Sequence, residues 1–255
     1  MMPKRLSPLI AASFVVLSML ACNFGTSSPV PASGTQSSSS TGNSSSGACR
    51  NSYFPIVVGA TWDYKLTGPV NDSYTESILS ADGSGFTEQS VFGTGATRQG
   101  KWNCANGSLT ALDPTSGGSA SVSTSNATGD FQTSDLSGVT IPASINPGDT
   151  WTQGVTLTGI ETIHGQQYPT SNKFTNDCKA VGTESVTVQA GTFDALHVEC
   201  QTNMLITITI SGTSTQTPVN FNSTVWYVKN VGMVKTATSG SGINSTIELV
   251  SYKIP

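Results

Sequence analysis

Two histidines, five cysteines and four tryptophans are the residues of this 255-residue chain best suited to chemistry. His197 stands two residues from Glu199 in an alternating stretch, so both fall on one face of a strand. Such a pair could move protons, but no nucleophile accompanies it, and a solvated strand pair is the simpler role. His164 lies in Ile163-His-Gly-Gln-Gln-Tyr168, which reads as a turn. Asp63 and Asp149 stand beside or near tryptophans, yet two scattered carboxylates do not make a glycosidase pair. Gly-x-Ser-x-Gly, His-Glu-x-x-His, a phosphate loop and an EF-hand loop are all missing. There is no Cys-x-x-Cys, and histidine is scarce, so no metal site is expected. The residues therefore predict no catalytic group, no metal and no cofactor.

The cysteines divide by position. Cys22 closes Ser18-Met19-Leu20-Ala21-Cys22 at the end of an apolar run from Pro8 to Leu20, itself preceded by Lys4 and Arg5. The run is too short for a spanning helix. The pattern resembles a bacterial lipoprotein signal, in which cleavage precedes a cysteine that is then lipidated. Residues 1–21 are expected to be a signal peptide and Cys22 the lipidation site. Two or three acyl chains at about 0.8 kcal/mol per buried CH₂ make a stable anchor. Loss of Lys4 and Arg5 moves the formal charge from −4 to −6, so the remaining chain has no electrostatic reason to lie on an anionic surface. Residues 22–48 are the lipidated cysteine and a tether of Ser, Gly, Thr, Pro, Ala and Asn that cannot bury a core. Such a tether spans about 28 Å r.m.s. and at most about 90 Å.

Cys49, Cys104, Cys178 and Cys200 remain, an even number in a disulfide-permissive setting. Of the three pairings, Cys178–Cys200 with Cys49–Cys104 is the one expected. Two strand-like runs flank Ala190-Gly191. A three-residue loop Gln189–Gly191 would leave Cys178 and Cys200 two positions out of register on one face, and a bulge near Gly182 would close that gap.

The rest of the chain reads as β structure. Period-two alternation runs through Trp62, Tyr64 and Leu66, and through Leu196, Val198, Cys200, Thr202, Met204, Ile206, Ile208 and Ile210. The second run implies a strand of about 18 residues, which must coil or bend. No stretch after residue 49 shows a 3.6-residue apolar stripe. Turn residues at Asp82-Gly83, Asn106-Gly107, Ala190-Gly191, Asn230-Val-Gly232 and Gly240–Gly242 mark ten or more antiparallel strands. The expected fold is all-β: one domain over residues 49–255 built on a strongly curved sheet, either a half-barrel or two packed meanders. Gly59-Ala-Thr-Trp62 echoes Gly148-Asp-Thr-Trp151, which allows two similar halves joined by a long loop near 113–140. With 10% charged residues and 72 Ser and Thr, the surface lacks the clustered cations that nucleic acid needs.

Tyr53-Phe54-Pro55-x3-Gly59-x2-Trp62-x-Tyr64, the stretch around Pro142–Trp151, Ala190-Gly191-Thr192-Phe193-x-Ala195 and Trp226-Tyr227-x3-Val231-Gly232-x-Val234-Lys235 resemble, in that order, a family of uncharacterised bacterial exported proteins, many of them lipoproteins. The resemblance covers most of residues 49–255 and extends distantly to the half-barrel of the LolA/LolB-like lipoprotein carriers. It implies an extracytoplasmic location on a bacterial membrane and brings no catalytic residues. With it, the apolar face of the long strand suggests a non-enzymatic binding module for lipid or another apolar ligand, lined by Met204, Ile206, Ile208, Trp62 and Trp226. A structural or interaction lipoprotein of the cell envelope with no small ligand is the alternative.

Overall fold

The computed structural model describes residues 49–112, 119–123 and 127–255. The signal segment 1–21, Cys22 and the tether to residue 48 lie outside the described residues. Thirteen strands make up the described chain: β1 (Thr61–Thr67), β2 (Asp72–Ala81), β3 (Gly85–Phe92), β4 (Thr97–Ala105), β5 (Ser108–Ala111), β6 (Ser119–Ser123), β7 (Ala127–Gly138), β8 (Thr150–Ile163), β9 (Gln166–Val188), β10 (Gly191–Ile210), β11 (Thr213–Val228), β12 (Gly232–Gly240) and β13 (Ile243–Lys253). All pairings are antiparallel, and no helix occurs among the described residues. The fold is the strongly curled antiparallel sheet expected from the alternation.

The curl is tight enough for its ends to meet. The strand order runs β3-β2-β1-β13-β12-β11-β10-β9-β8-β7-β6-β4-β5, and β4 also pairs with β3. One side of β4 is shared between β6, at Thr97–Gly100, and β5, at Trp102–Ala105. Hydrogen bonding thus passes right round the sheet through β3 and β4, although the Thr213–Phe221 half of β11 pairs with β10 alone. The stretch read as a long loop near 113–140 is mostly strand instead. β6 and β7 lie within it and complete the ring. Ser and Gly have weak strand preference, but ladder partners on both sides override it.

Strand length divides the molecule into two parts. β9 has 23 residues, β10 has 20 and β11 has 16, against 7 to 10 in β1 to β4. The excess forms a wing beyond the main core. Within the core, the segment from Cys49 to Ala60 plugs one end, with Cys49, Tyr53, Ile56 and Ala60 all buried. Asn51 clips it in place by donating to the carbonyls of Gly107 and Pro142 at 2.8 and 2.9 Å. The Cys49–Cys104 disulfide ties it to β4.

Cys178 and Cys200 are directly opposite each other and bonded. The turn differs from the expected three-residue loop. Val188 pairs with Gly191, leaving two loop residues, Gln189 and Ala190. The register is then one residue out, not two. The extra residue Val181, opposite the His197/Val198 step, absorbs it.

Candidate functional site

The five expected lining residues do not share one surface. Trp62 is 2% exposed in the main core and donates its N–H to the Val231 carbonyl at 2.6 Å. Trp151, its counterpart in the Gly-x-Thr-Trp echo, donates likewise to the Thr140 carbonyl at 2.9 Å. Trp226 pairs with His197 and lies on the outer face. Met204, Ile206 and Ile208 lie on the inner face of the wing. No single surface therefore carries all five.

Those three sit in a separate apolar compartment. Ile206, Ile208 and Val219 are buried together, with Tyr168, Met204, Ile210 and Phe221 against them. Met204 also touches Phe131, Val155, Leu157 and Phe174. A polar belt separates this wing from the main core. Register places Gln153, Asn176 and Thr202 in one inner row across β8, β9 and β10. Thr202 donates to Asn176 Oδ1 at 2.9 Å, and Thr140 donates to Gln153 Oε1 at 2.6 Å. Gln153 in turn donates to the Ala111 carbonyl at 2.5 Å. Beyond the belt, Glu161 and Asn172 are buried at 2% and 9% exposure, and Glu161 Oε2 and Asn172 Oδ1 have no hydrogen-bond partner. Burial pushes the Glu161 carboxyl above its usual range. Both oxygens are acceptors placed among apolar side chains, where a hydrogen-bond donor is worth roughly 1–3 kcal/mol.

The main core holds a second ionisable group of residues, which the sequence reading missed. Glu76, Ser90 and Arg98 form one inner row across β2, β3 and β4, continuing from Trp62 on β1. Glu88 lies one step along, opposite Ile78 and Gly100. It is 2% exposed, and its Oε1 has no hydrogen-bond partner. Trp102, diagonal to it on β4, is close enough for its N–H to pull the Glu88 carboxyl down slightly, but it makes no hydrogen bond of ordinary length. Burial first, then the charge of Glu76, raises Glu88 well above the carboxylate range, against the pull of Arg98. Glu76 is pushed up to about 6 by burial, with Arg98 opposing, and is mostly ionised at neutral pH. Tyr64 and Tyr74 stack at 5.1 Å beside this row, and Phe92 lies 5.1 Å from Tyr74. Burial and Glu76 together push Tyr227 up to about 12. A sequence signal did exist. Tyr74-x-Glu76-x-Ile78, Phe86-x-Glu88-x-Ser90-x-Phe92 and Arg98-x-Gly100-x-Trp102 each carry a charge in the apolar phase of a strand.

On the outer face, Trp226 donates to Glu184 Oε1 at 2.5 Å and stacks on His197 with centroids 5.6 Å apart. Lys235 lies 5.8 Å from the Trp226 ring centroid and pairs with Glu248 at 2.8 Å. His197 Nδ1 is 3.4 Å from Glu184 and its Nε2 is 3.7 Å from Glu199. No nucleophile joins this cluster. His164 occupies a two-residue turn with Gly165, both left-handed at φ 48 and 77, which fits a type I′ hairpin rather than a site. Two shallow concavities, of about 620 and 440 Å³, open on the sheet and share Asn222 and Thr224. Thr150, Thr152, Asp177, Lys179 and Gln201 line the first, and Thr67, Ser239, Asn244 and Thr246 the second.

The arrangement defines an all-β chain with ionisable groups inside a closed sheet. The chain belongs to the DUF3108-like family, which it matches over residues 115–252. No curated protein matches it. A protein of Parabacteroides distasonis ATCC 8503, described as a lipoprotein, has a similar structure, with 17% identity, 80% of this chain and 99% of that one covered, and a TM-score of 0.52. A protein of Bacteroides fragilis NCTC 9343, described as exported and with a YmcC-like fold, is 16% identical over 80% of this chain and 100% of that one, at a TM-score of 0.47. The hypothetical lipoprotein YmcC of Escherichia coli K12 is 11% identical over 77% and 85%, at 0.37. The Parabacteroides structure supports the fold. The likeness to lipoprotein carriers stands on the motif resemblance alone.

Proposed function

We propose that the chain is an extracytoplasmic lipoprotein, held to a bacterial membrane through Cys22, that serves as a non-enzymatic binding module for an apolar ligand such as lipid. One observation supports the ligand most: the wing is an apolar compartment of its own, cut off by the Gln153–Asn176–Thr202 belt and containing acceptors with no partner. Ligand sites are mostly apolar with a few polar groups that fix orientation. Met204, Ile206 and Ile208 would contact the apolar part. The test is native mass spectrometry with lipid extraction of the mature protein. A co-purifying acyl lipid, lost in Ile206→Glu, is the expected result. A ligand-free protein that takes up no fluorescent fatty acid would remove this reading. Cys22→Ala should release the protein from membranes, and unchanged membrane fractionation would remove the anchor.

An interaction lipoprotein with no small ligand is the second reading. It is favoured by the large cluster of the protein's own side chains in the main core, and by the two surface concavities that share Asn222 and Thr224. A ligand-free protein that retains a cross-linkable envelope partner would support it.

A further inference from the structure

The two concavities on the sheet form one trough. The first is lined by residues 150–152 of β8, 177–179 of β9, 199–201 of β10 and 222–224 of β11. The second continues over Asn222 and Thr224 to residues 237–239 of β12, 244–246 of β13 and the end of β1 at Thr67. Each strand contributes at most three consecutive residues, so the trough is narrow along the strands and seven strands long across them. Six inter-strand steps of about 4.8 Å make it about 29 Å long, and a rise of two residues makes it about 7 Å wide. A curled sheet is convex on its outside across the strands. A hollow there requires the strands to bend along their length, which lays it crosswise.

Ladder register puts Thr152, Asp177, Gln201, Asn222, Ser239 and Asn244 in one row along the trough. The first four stand next in chain to Gln153, Asn176, Thr202 and Ser223, and the belt residues face inward, so the row faces outward. All six are exposed. Thr152 donates to Asp177 Oδ1 at 2.7 Å, while the side chains of Gln201, Asn222, Ser239 and Asn244 make no hydrogen bond to another described residue. The Cys178–Cys200 disulfide ties β9 to β10 at the floor of the first hollow, so the backbone beneath the row is held in place before any ligand arrives.

The lining narrows the occupant. Asn, Gln, Ser and Thr side chains each donate and accept, as every hydroxyl of a sugar does. Trp151, the one large apolar residue of the lining, packs against the main core, so a lipid chain has little to lie on. A polyanion needs clustered cations, whereas Lys179 stands beside Asp177 and Glu199. Protein interfaces are enriched at their centre in aromatic, Met and Arg side chains, but the two hollows join at Asn222 and Thr224. We propose that the trough binds a linear, uncharged oligosaccharide lying across the strands. Its hydroxyls bond to the amides of Gln201, Asn222 and Asn244 and to the carboxylate of Asp177. The site gives the interaction reading a partner, and it holds or fails apart from an apolar ligand in the wing.

Calorimetric titration of the full mature protein with cellohexaose, maltohexaose and N-acetylchitohexaose tests the site, against the corresponding disaccharides. At least one hexasaccharide is expected to bind at least tenfold more tightly than its disaccharide, because only the longer chain reaches both hollows. Asn222→Ala, at the join, and Asp177→Ala should each weaken that binding at least fivefold. Glu184→Ala, outside the trough, should bind as wild type does. Circular dichroism identifies the variants that fold, and lipid extraction of the same preparation reads the wing separately. If no hexasaccharide binds more tightly than its disaccharide, or a folded Asn222→Ala variant binds as wild type does, the proposal is overturned.

Discussion

On the plugged side of the Gln153–Asn176–Thr202 belt, the core is held by aromatic rings, both disulfides and the clipped segment Cys49–Ala60. On the other side, the wing is held by long hairpins and two small apolar clusters. Both sides bury a glutamate whose oxygen lacks a partner, Glu88 in the core and Glu161 in the wing. The surroundings differ. Glu88 has a second carboxyl and a guanidinium acting on it through space, whereas only burial shifts Glu161. Hairpins of this length depend on local register, while the core depends on contacts distant in sequence. Regions with fewer buried apolar contacts open at lower free energy, so the wing is expected to exchange its amide hydrogens before the core does.

The disulfides should separate the two sides most strongly. Cys49–Cys104 closes 55 residues and fixes the plug, whereas Cys178–Cys200 closes 22 within a hairpin already in register. Chain entropy alone assigns about 4 kcal/mol to the first and about 3 kcal/mol to the second. Urea unfolding of Cys49→Ser/Cys104→Ser and of Cys178→Ser/Cys200→Ser would measure both losses. The first variant should also expose Asn51 and Tyr53 to exchange. A larger loss from the hairpin disulfide would reverse the ranking and locate the weak point in the long strands.

The pH dependence of stability offers a finer comparison. Glu76, Glu88 and Glu161 are all raised, chiefly by burial. At pH values below the unfolded carboxyl pKa, both states are protonated and these groups cost nothing through ionisation. Above it, the unfolded chain ionises while the folded carboxyls hold their protons, so stability falls as pH rises toward each folded pKa. For Glu76 the window runs from 4.5 to about 6, and the loss is about 2 kcal/mol. For Glu88 the fall continues to higher pH. Glu88→Gln should therefore stabilise the protein at pH 8 by roughly 1–3 kcal/mol relative to pH 4. Glu161→Gln should flatten the profile in the same direction but by less, since no second carboxyl adds to its shift. Denaturant midpoints at several pH values decide the matter. A profile that rises from pH 5 to pH 8, unchanged by either substitution, would show that these groups ionise freely.

Much of this contrast was open to a reader of the chain, and the missing parts have physical causes. The long apolar alternation from Leu196 to Ile210 gave β10 because every second residue had one face to cover. Cys178 and Cys200 could be paired because hairpin register is nearly fixed by its turn, even though the turn itself was one residue shorter than expected. Trp226 was misplaced because Val225-Trp-Tyr-Val228 is apolar throughout and shows no alternation. Its face is set instead by pairing with His197 and by the register shift at Trp226/Tyr227. The row of Glu76, Ser90 and Arg98 was missed for another reason. Each charge interrupts an apolar phase in its own strand, and only the ladder of β2, β3 and β4 reveals that the interruptions coincide.

The outer cluster should show the smallest effect. Trp226 is wedged between neighbours from β10 and β12, with its N–H on Glu184. Glu184 is half-exposed, with a side-chain exposure of 49%, and solvent screens its interaction with His197. Glu184→Ala removes one hydrogen bond to an indole that can still reach water. It should destabilise by at most about 1 kcal/mol, and the loss should shrink further in high salt. Lys235→Met, which leaves the apolar stem against the ring but removes the charge, should cost less still. Thermal melting at low and high salt reads both. A loss from Glu184→Ala as large as that from the plug disulfide would mean that the outer face braces the β10–β11 hairpin, and that the division between core and wing does not describe where stability resides.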